Sequence, residues 1–272
     1  MRYPNKRALQ NTYRASAPIM LVPGGDANPA TLGAAFDFAT RFVIQPAYIP
    51  EMAIHAFRPS RRRVNAILGV IDIARSAADC RGGLAPEPLL RASWALALTT
   101  EVFRSGDWRH SPLRQLGWLN FTTRKLLQLA PLNALLQMEQ LHSVATKGFF
   151  PELPSNPRRM AIGPTFDASR LCTADADLII DGTLIELKTR LGPASKRDGR
   201  RFDSLPSADI NQLLSYVLFD KSDKFRIRQV ALYSARYGHF VRWDLNEYLS
   251  LLSGREMDVH VERQIVWTLL GG

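Results

Sequence analysis

Residues 174–189, Ala-Asp-Ala-Asp-Leu-Ile-Ile-Asp-Gly-Thr-Leu-Ile-Glu-Leu-Lys-Thr, constrain the fold of this chain more than any other stretch. Asp181 and Gly182 form a two-residue turn signal between apolar runs, because both tolerate the positive φ of a type I′ hairpin. A turn at that point sets the register. Ile180 faces Thr183, Ile179 faces Leu184, Leu178 faces Ile185, Asp177 faces Glu186, and Asp175 faces Lys188. Side chains alternate along a strand, so Asp175, Asp177, Glu186 and Lys188 share one face at one end of the hairpin. Leu178, Ile180, Ile185 and Leu187 take the other face and anchor it in a core.

Carboxylates directly opposed across two strands have Cβ atoms about 5 Å apart and repel. A divalent cation between Asp177 and Glu186 turns that repulsion into ligation, and hard oxygen donors suit Mg²⁺ or Mn²⁺. Lys188, two residues beyond Glu186, points to the same place, where an ammonium orients a water or stabilises charge growing on a phosphate. The plainer alternative is a solvated hairpin with a Glu–Lys pair, which does not account for four charges at one end.

The rest of the chain supplies context. The formal net charge is +10 over 272 residues, which favours polyanionic partners. Two cysteines, Cys80 and Cys172, are too few for a four-thiolate zinc or iron–sulfur site and suit a reducing, cytoplasmic setting. No apolar run approaches the ~20 residues of a membrane span. The short stretch from Ala17 to Pro23 is broken by prolines and is not read as a secretory signal. The chain lacks the glycine-rich Lys-Ser/Thr loop of a nucleotide-driven motor. His55, His110, His142, His239 and His260 show no zinc-type spacing. Glu101 is a candidate for an extra acid.

Two textures divide the chain. Residues 1–30 read as an irregular basic arm. Asn28-Pro29 is a helix-start signal, and Leu32, Ala35, Phe36, Ala39, Phe42 and Val43 follow at helical spacing. Residues 62–79, 86–104 and 112–147 continue as helices. Pro151, Pro154, Pro157 and Pro164 mark a change. Strands are expected at 177–180, 183–187, 225–233 and 240–243, a helix at about 207–220, another near 245–253 and a strand at 258–268. Arginines cluster twice: Arg58, Arg61, Arg62 and Arg63, and then Arg190, Lys196, Arg197, Arg200 and Arg201 in a loop containing Gly192, Pro193 and Gly199. A basic loop after the charged strand suits contact with phosphates.

Asp177, then Leu178-Ile179-Ile180, then Glu186-Leu187-Lys188 resembles the PD-(D/E)XK nuclease superfamily, whose pattern is an acid, a hydrophobic strand, a turn, and Glu or Asp, any residue, Lys. Ala176 stands where that pattern usually has proline. Gln212-Leu-Leu-Ser-Tyr216 resembles the Gln-x-x-x-Tyr motif of the RecB-like branch. Gly33 and Asp37 fall where that branch often has Gly-x-x-x-His, with Asp in place of His. The resemblance covers residues 31–45 and 165–245.

The resemblance implies an α/β, restriction-endonuclease-like mixed sheet flanked by helices, with a large α-helical N-terminal or inserted region. Residues 31–272 would form the nuclease domain, with a helical insertion at about 46–155. It implies hydrolysis of phosphodiester bonds, in DNA first of all, in repair, recombination or defence against foreign DNA. Asp177, Glu186, the Leu187 carbonyl and Asp37 would hold Mg²⁺ or Mn²⁺, and Lys188 would position the attacking water. Gln212, Tyr216, Arg190, Lys196, Arg197, Arg200 and Arg201 would hold the substrate. Two alternatives stand beside this reading. One is a non-catalytic nucleic-acid-binding module that retains the fold. The other is an interaction module whose helical region meets a protein partner.

Overall fold

A computed structural model describes residues 3–78, 83, 85–117 and 120–272. Cys80 lies outside the described residues. The chain forms two compact units, Val22–Phe150 and Met1–Leu21 with Pro151–Gly272.

The expected irregular arm contains a helix, α1 (Lys6–Ser16). Most of its residues are polar, which hides the signal. Leu9 and Tyr13, one turn apart, are its buried anchors. They join Trp243, Tyr248 and Leu249 in the core of the sheet-containing unit, and a surface supplied by tertiary packing is enough to hold a helix of low mean hydropathy.

The helical unit begins with α2 (Pro29–Ile44). Its first turn is capped as the sequence predicts, with the Asn28 side chain accepting from the N–H groups of Ala30 and Thr31, each at 3.0 Å. Then come α3 (Glu51–His55), α4 (Arg61–Ala77), α5 (Glu87–Ser105), α6 (Thr123–Leu127) and α7 (Leu132–Gly148). The expected helical stretch at 112–147 is broken where Gly117 adopts φ 56° and where Pro131 precedes α7.

The position of α2 changes the expected division of the chain. Phe36, Phe38 and Phe42 are all buried, so the helix is apolar on more than one side. It packs against α5 and α7 as an internal member of the helical unit. The boundary therefore falls after residue 21, and the helical segment that precedes the strands includes the helix expected to open the nuclease domain.

The second unit is mixed α/β. Its five-stranded sheet runs in chain order: β1 (Met160–Ile162), β2 (Leu178–Ile180), β3 (Thr183–Lys188), β4 (Gln229–Ser234) and β5 (His239–Asp244). Neighbours are antiparallel except β3 and β4, which are parallel. A parallel pair needs a crossover, and α8 (Ser207–Phe219) lies within it. Helices α9 (Leu245–Ser253) and α10 (Val259–Leu269) complete the chain. The stretch expected as a strand at 258–268 is thus α10. Its β-branched residues suggested a strand, but the Asp258 side chain accepts from the N–H groups of His260 and Val261 and starts a helix.

The strand expected from Phe225 starts four residues later. Asp223 and Arg226 have positive φ, and Asp220 accepts from the N–H groups of Lys224 and Phe225, so 220–228 is a turn. One core cluster joins α1, α8 and α9 to the sheet through Ile179, Leu184, Leu213, Val217, Val230 and Leu232. Among the described residues no helix is long and apolar enough to cross a membrane.

Candidate active site

The hairpin forms around the expected turn. Asp181 and Gly182 have φ of 46° and 81°, the signs of a type I′ turn. Only glycine suits the second position, because an added Cβ would lie 2.6 Å from the Arg226 carbonyl oxygen. The register is Ile180 with Thr183, Ile179 with Leu184 and Leu178 with Ile185, as the turn requires.

The ladder stops there. In a continued antiparallel pair, Ala176 and Leu187 would exchange both backbone hydrogen bonds. Instead the Ala176 N–H donates to the Pro164 carbonyl, and the Leu187 N–H donates to Oδ2 of Asp177 at 2.8 Å. The chain before β2 therefore turns away from β3, and the expected Asp175–Lys188 pairing does not form as part of the ladder. Asp175 bridges to Thr165. This break leaves the Leu187 carbonyl out of the β2–β3 ladder.

Glu186 lies on the face of β3 that meets α8 and is 4% exposed. A carboxylate so buried requires donors. Lys188 Nζ donates to its Oε1 at 2.8 Å, and Gln212 Nε2 donates to the same oxygen at 2.8 Å. Lys188 Nζ also donates to Gln212 Oε1 at 2.8 Å, and Gln212 Nε2 donates to the Tyr216 hydroxyl at 2.7 Å. Gln212 is thus the hub that links base of strand, lysine and phenol.

Helix α8 holds that hub in place from both ends. The Tyr248 hydroxyl donates to the Ile210 carbonyl at 2.9 Å, and Arg263 Nε of α10 donates to the Val217 carbonyl at 3.0 Å. Tyr216 itself is buried and stacks on Phe166 with ring centroids 5.5 Å apart. It does not sit on an exposed polar face. Burial, and after it the negative charges of Glu186, Asp177 and Asp175, push its phenol far above the ordinary tyrosine value, with Gln212 acting in the opposite sense. The fields of these three carboxylates converge on one hydroxyl. Among the described residues no three His, Cys, Asp or Glu side chains form a ready group of metal ligands.

The expected substrate-binding residues fall into two sets. Arg190 is held within the protein: NH1 pairs with Oδ2 of Asp209, and NH2 donates to the Ser204 carbonyl at 2.6 Å. Lys196, Arg197, Arg200 and Arg201 are exposed. Their loop is a tight turn closed by the Ala194–Arg201 bridge, and Arg201 NH1 donates to the Gly192 carbonyl at 2.8 Å. Gly192 has no room for a side chain, since a Cβ would lie 2.0 Å from the Phe202 carbonyl oxygen.

Asp37 belongs to the helical unit. Arg41 closes on it with Nε to Oδ1 and NH2 to Oδ2 both at 2.7 Å, and Arg41 NH1 also donates to the Tyr48 hydroxyl at 3.0 Å. The i,i+4 spacing that placed Asp37 and Arg41 together is thereby used for an ion pair.

Two features escaped the sequence reading. Asp209, in the first turn of α8, pairs with Arg190 and stands 4.0 Å from Lys188 Nζ. Its signal was available, since it lies three residues before Gln212 on the same helix. Asp203 is fully buried and accepts from the Tyr13 hydroxyl at 2.5 Å, the Ser234 hydroxyl at 2.9 Å and the Ser204 N–H at 2.9 Å, with His239 Nδ1 at 2.9 Å. It pins the end of the basic loop to α1, β4 and β5, and no local pattern marks it. Cys172 is an exposed free thiol.

No protein-family model, no curated protein and no solved structure matches this chain.

Proposed function

We propose that the chain is a metal-dependent nuclease that hydrolyses phosphodiester bonds in DNA, with Asp177, Glu186 and Lys188 at its centre. The observation that carries this reading is the hydrogen-bonded set of Glu186, Lys188, Gln212 and Tyr216 beside Asp177, at the point where the β2–β3 ladder is interrupted. A binding role alone has no use for paired acids next to a phosphate, because they oppose it.

The donor set fits Mg²⁺ or Mn²⁺. Asp177 and Glu186 offer hard anionic oxygens, and the Leu187 carbonyl stands outside the ladder at the same edge. These three groups would hold the ion. When bound, it would supply charge stabilisation at the phosphoryl oxygen and a more acidic water. The remaining work falls to the chain's own residues. Lys188, fixed by Glu186 and Gln212, presents an ammonium that orients a water and stabilises charge developing on the phosphate. Gln212 holds the Glu186 oxygen and the lysine in one geometry and exchanges one of these bonds when substrate arrives. Exposed Lys196, Arg197 and Arg200 draw in the polyanion.

The experiment that tests this is incubation with circular and linear DNA, with and without Mn²⁺, beside the Lys188→Ala variant. Metal-dependent cleavage absent from the variant supports the reading. DNA binding without any cleavage supports the non-catalytic module instead.

A further inference from the structure

The loop after α8 leads to an open cleft of about 360 Å³ lined by Asp167, Arg170, Lys221, Ser222 and Trp267. Two connections tie the cleft to the candidate active site. Phe166, which precedes Asp167, stacks on Tyr216. Lys221 lies two residues beyond Phe219, the last residue of the helix that carries Tyr216.

Both cations of the cleft lie over one ring. The Arg170 guanidinium lies 4.7 Å from the Trp267 ring centroid and the Lys221 ammonium 4.3 Å from it. Side chains held in this way lose less freedom when a ligand arrives. Asp167 accepts from the Ser222 N–H at 2.7 Å. Burial pushes its carboxyl up, but the Ser222 bonds and the charges of Lys224 and Arg170 prevail and hold it below the usual range. Of the lining side chains, Asp167 is the carboxylate and Arg170 and Lys221 are the cations. The indole is engaged by the cations, so the cleft favours an anion over a stacked base. Two cations over one indole form a donor set for phosphate.

We propose that this cleft seats a backbone phosphate of the DNA, held by Arg170 and Lys221. The identity of the strand rests on the nuclease reading, whereas the anion site rests on its own residues.

The test uses the full chain carrying Glu186→Gln, in the presence of a chelator, so that binding is read without cleavage. Affinity for a labelled DNA duplex is measured against salt, with and without the added pair Arg170→Gln and Lys221→Gln, which keep side-chain bulk over Trp267. Circular dichroism and thermal melting check that the fold is retained. The pair should lower affinity about tenfold and flatten the slope of log affinity against log salt by about 0.9, the share of one phosphate. DNA should also change a tryptophan emission signal that Trp267→Phe removes. Unchanged affinity and slope in a folded double variant would overturn the proposal. So would a Trp267 signal produced by inorganic phosphate and not by DNA, which would assign the cleft to a free anion. Cleavage by the wild-type chain with Mn²⁺, assayed separately, reports on the nuclease reading alone.

Discussion

Asp177 accepts the backbone N–H of Leu187 at 2.8 Å, in place of the strand partner that Leu187 would otherwise have. One carboxylate thus ends the β2–β3 ladder and stands beside Glu186. The two roles separate by substitution. Asp177→Asn keeps an acceptor for the amide and should retain stability within about 1 kcal/mol while metal-dependent cleavage is lost. Asp177→Ala leaves the N–H without its acceptor and should cost roughly 1 to 3 kcal/mol as well. Urea denaturation beside a cleavage assay distinguishes them; equal destabilisation by both variants would contradict the assigned bond.

Gln212 and Tyr216 should differ in weight. Gln212→Leu removes the bonds to Glu186, Lys188 and Tyr216 at once. Tyr216→Phe removes one, worth about 0.5 to 1.5 kcal/mol, while its ring stays stacked on Phe166. Single-turnover cleavage should therefore fall by roughly tenfold or less for Tyr216→Phe and by a clearly larger factor for Gln212→Leu. The reverse order would remove Gln212 from its place as the hub.

The exposed arginines should govern affinity and leave chemistry alone. Arg197 and Arg200 project from the 194–201 turn, whereas Arg201 also binds the Gly192 carbonyl and Arg190 is held by Asp209. Replacing Arg197 and Arg200 by Ala should weaken duplex binding and flatten the salt slope by up to about 1.8, if each meets one phosphate. Binding titrations at several salt concentrations check this. Replacing Arg190 should instead disturb the fold around Asp209, seen as a lower melting temperature.

His142 gives the helical unit a pH dependence. It is 1% exposed, and burial lowers its pKa from the ordinary 6.5 to about 4. The unfolded chain takes up a proton as pH falls below 6.5, and the folded one does so only near 4. Stability is therefore full above pH 6.5 and declines between these values, by roughly 2 to 3 kcal/mol at pH 4.5. Denaturation of wild type and His142→Gln at pH 7 and 4.5 should show a smaller loss in the variant. An equal loss in both would assign the effect to other groups.

The hairpin was legible because its determinants are local. Asp181-Gly182 sets the turn, the turn sets the register, and alternation places Glu186 and Lys188 on one face. The helix at 207–219 was legible for the same reason, through the spacing of Ile210, Leu213, Leu214 and Val217. What local pattern cannot show is where a ladder ends. The departure of Ala176 to Pro164 decides that Asp177 binds Leu187 and that Asp175 bridges to Thr165. Helix α1 was missed because two anchors, Leu9 and Tyr13, depend on a core contributed by residues far along the chain. Asp203 was missed for the same reason, since its partners come from Tyr13, Ser234 and His239. The proline-rich texture change near 151 did mark one unit boundary. The other, at 21–22, had no such mark because α2 reads equally well as a helix on a sheet or within a helical unit.

Cleavage of DNA by Glu186→Gln and Lys188→Ala, set beside wild type, tests the central claim most directly. Circular and linear substrates are incubated with Mg²⁺, with Mn²⁺ and with chelator, and binding at low salt is measured in parallel. The account predicts that wild type cuts only with metal. Glu186→Gln, which keeps shape and loses a charged donor, and Lys188→Ala, which removes the cation beside the water and the phosphate, should each lose at least about a hundredfold in rate. Both should retain DNA binding, since affinity comes from the arginines. Wild type that binds DNA and never cuts it under any of these conditions, alone or with a co-purifying protein, with both variants indistinguishable from it, would contradict the account.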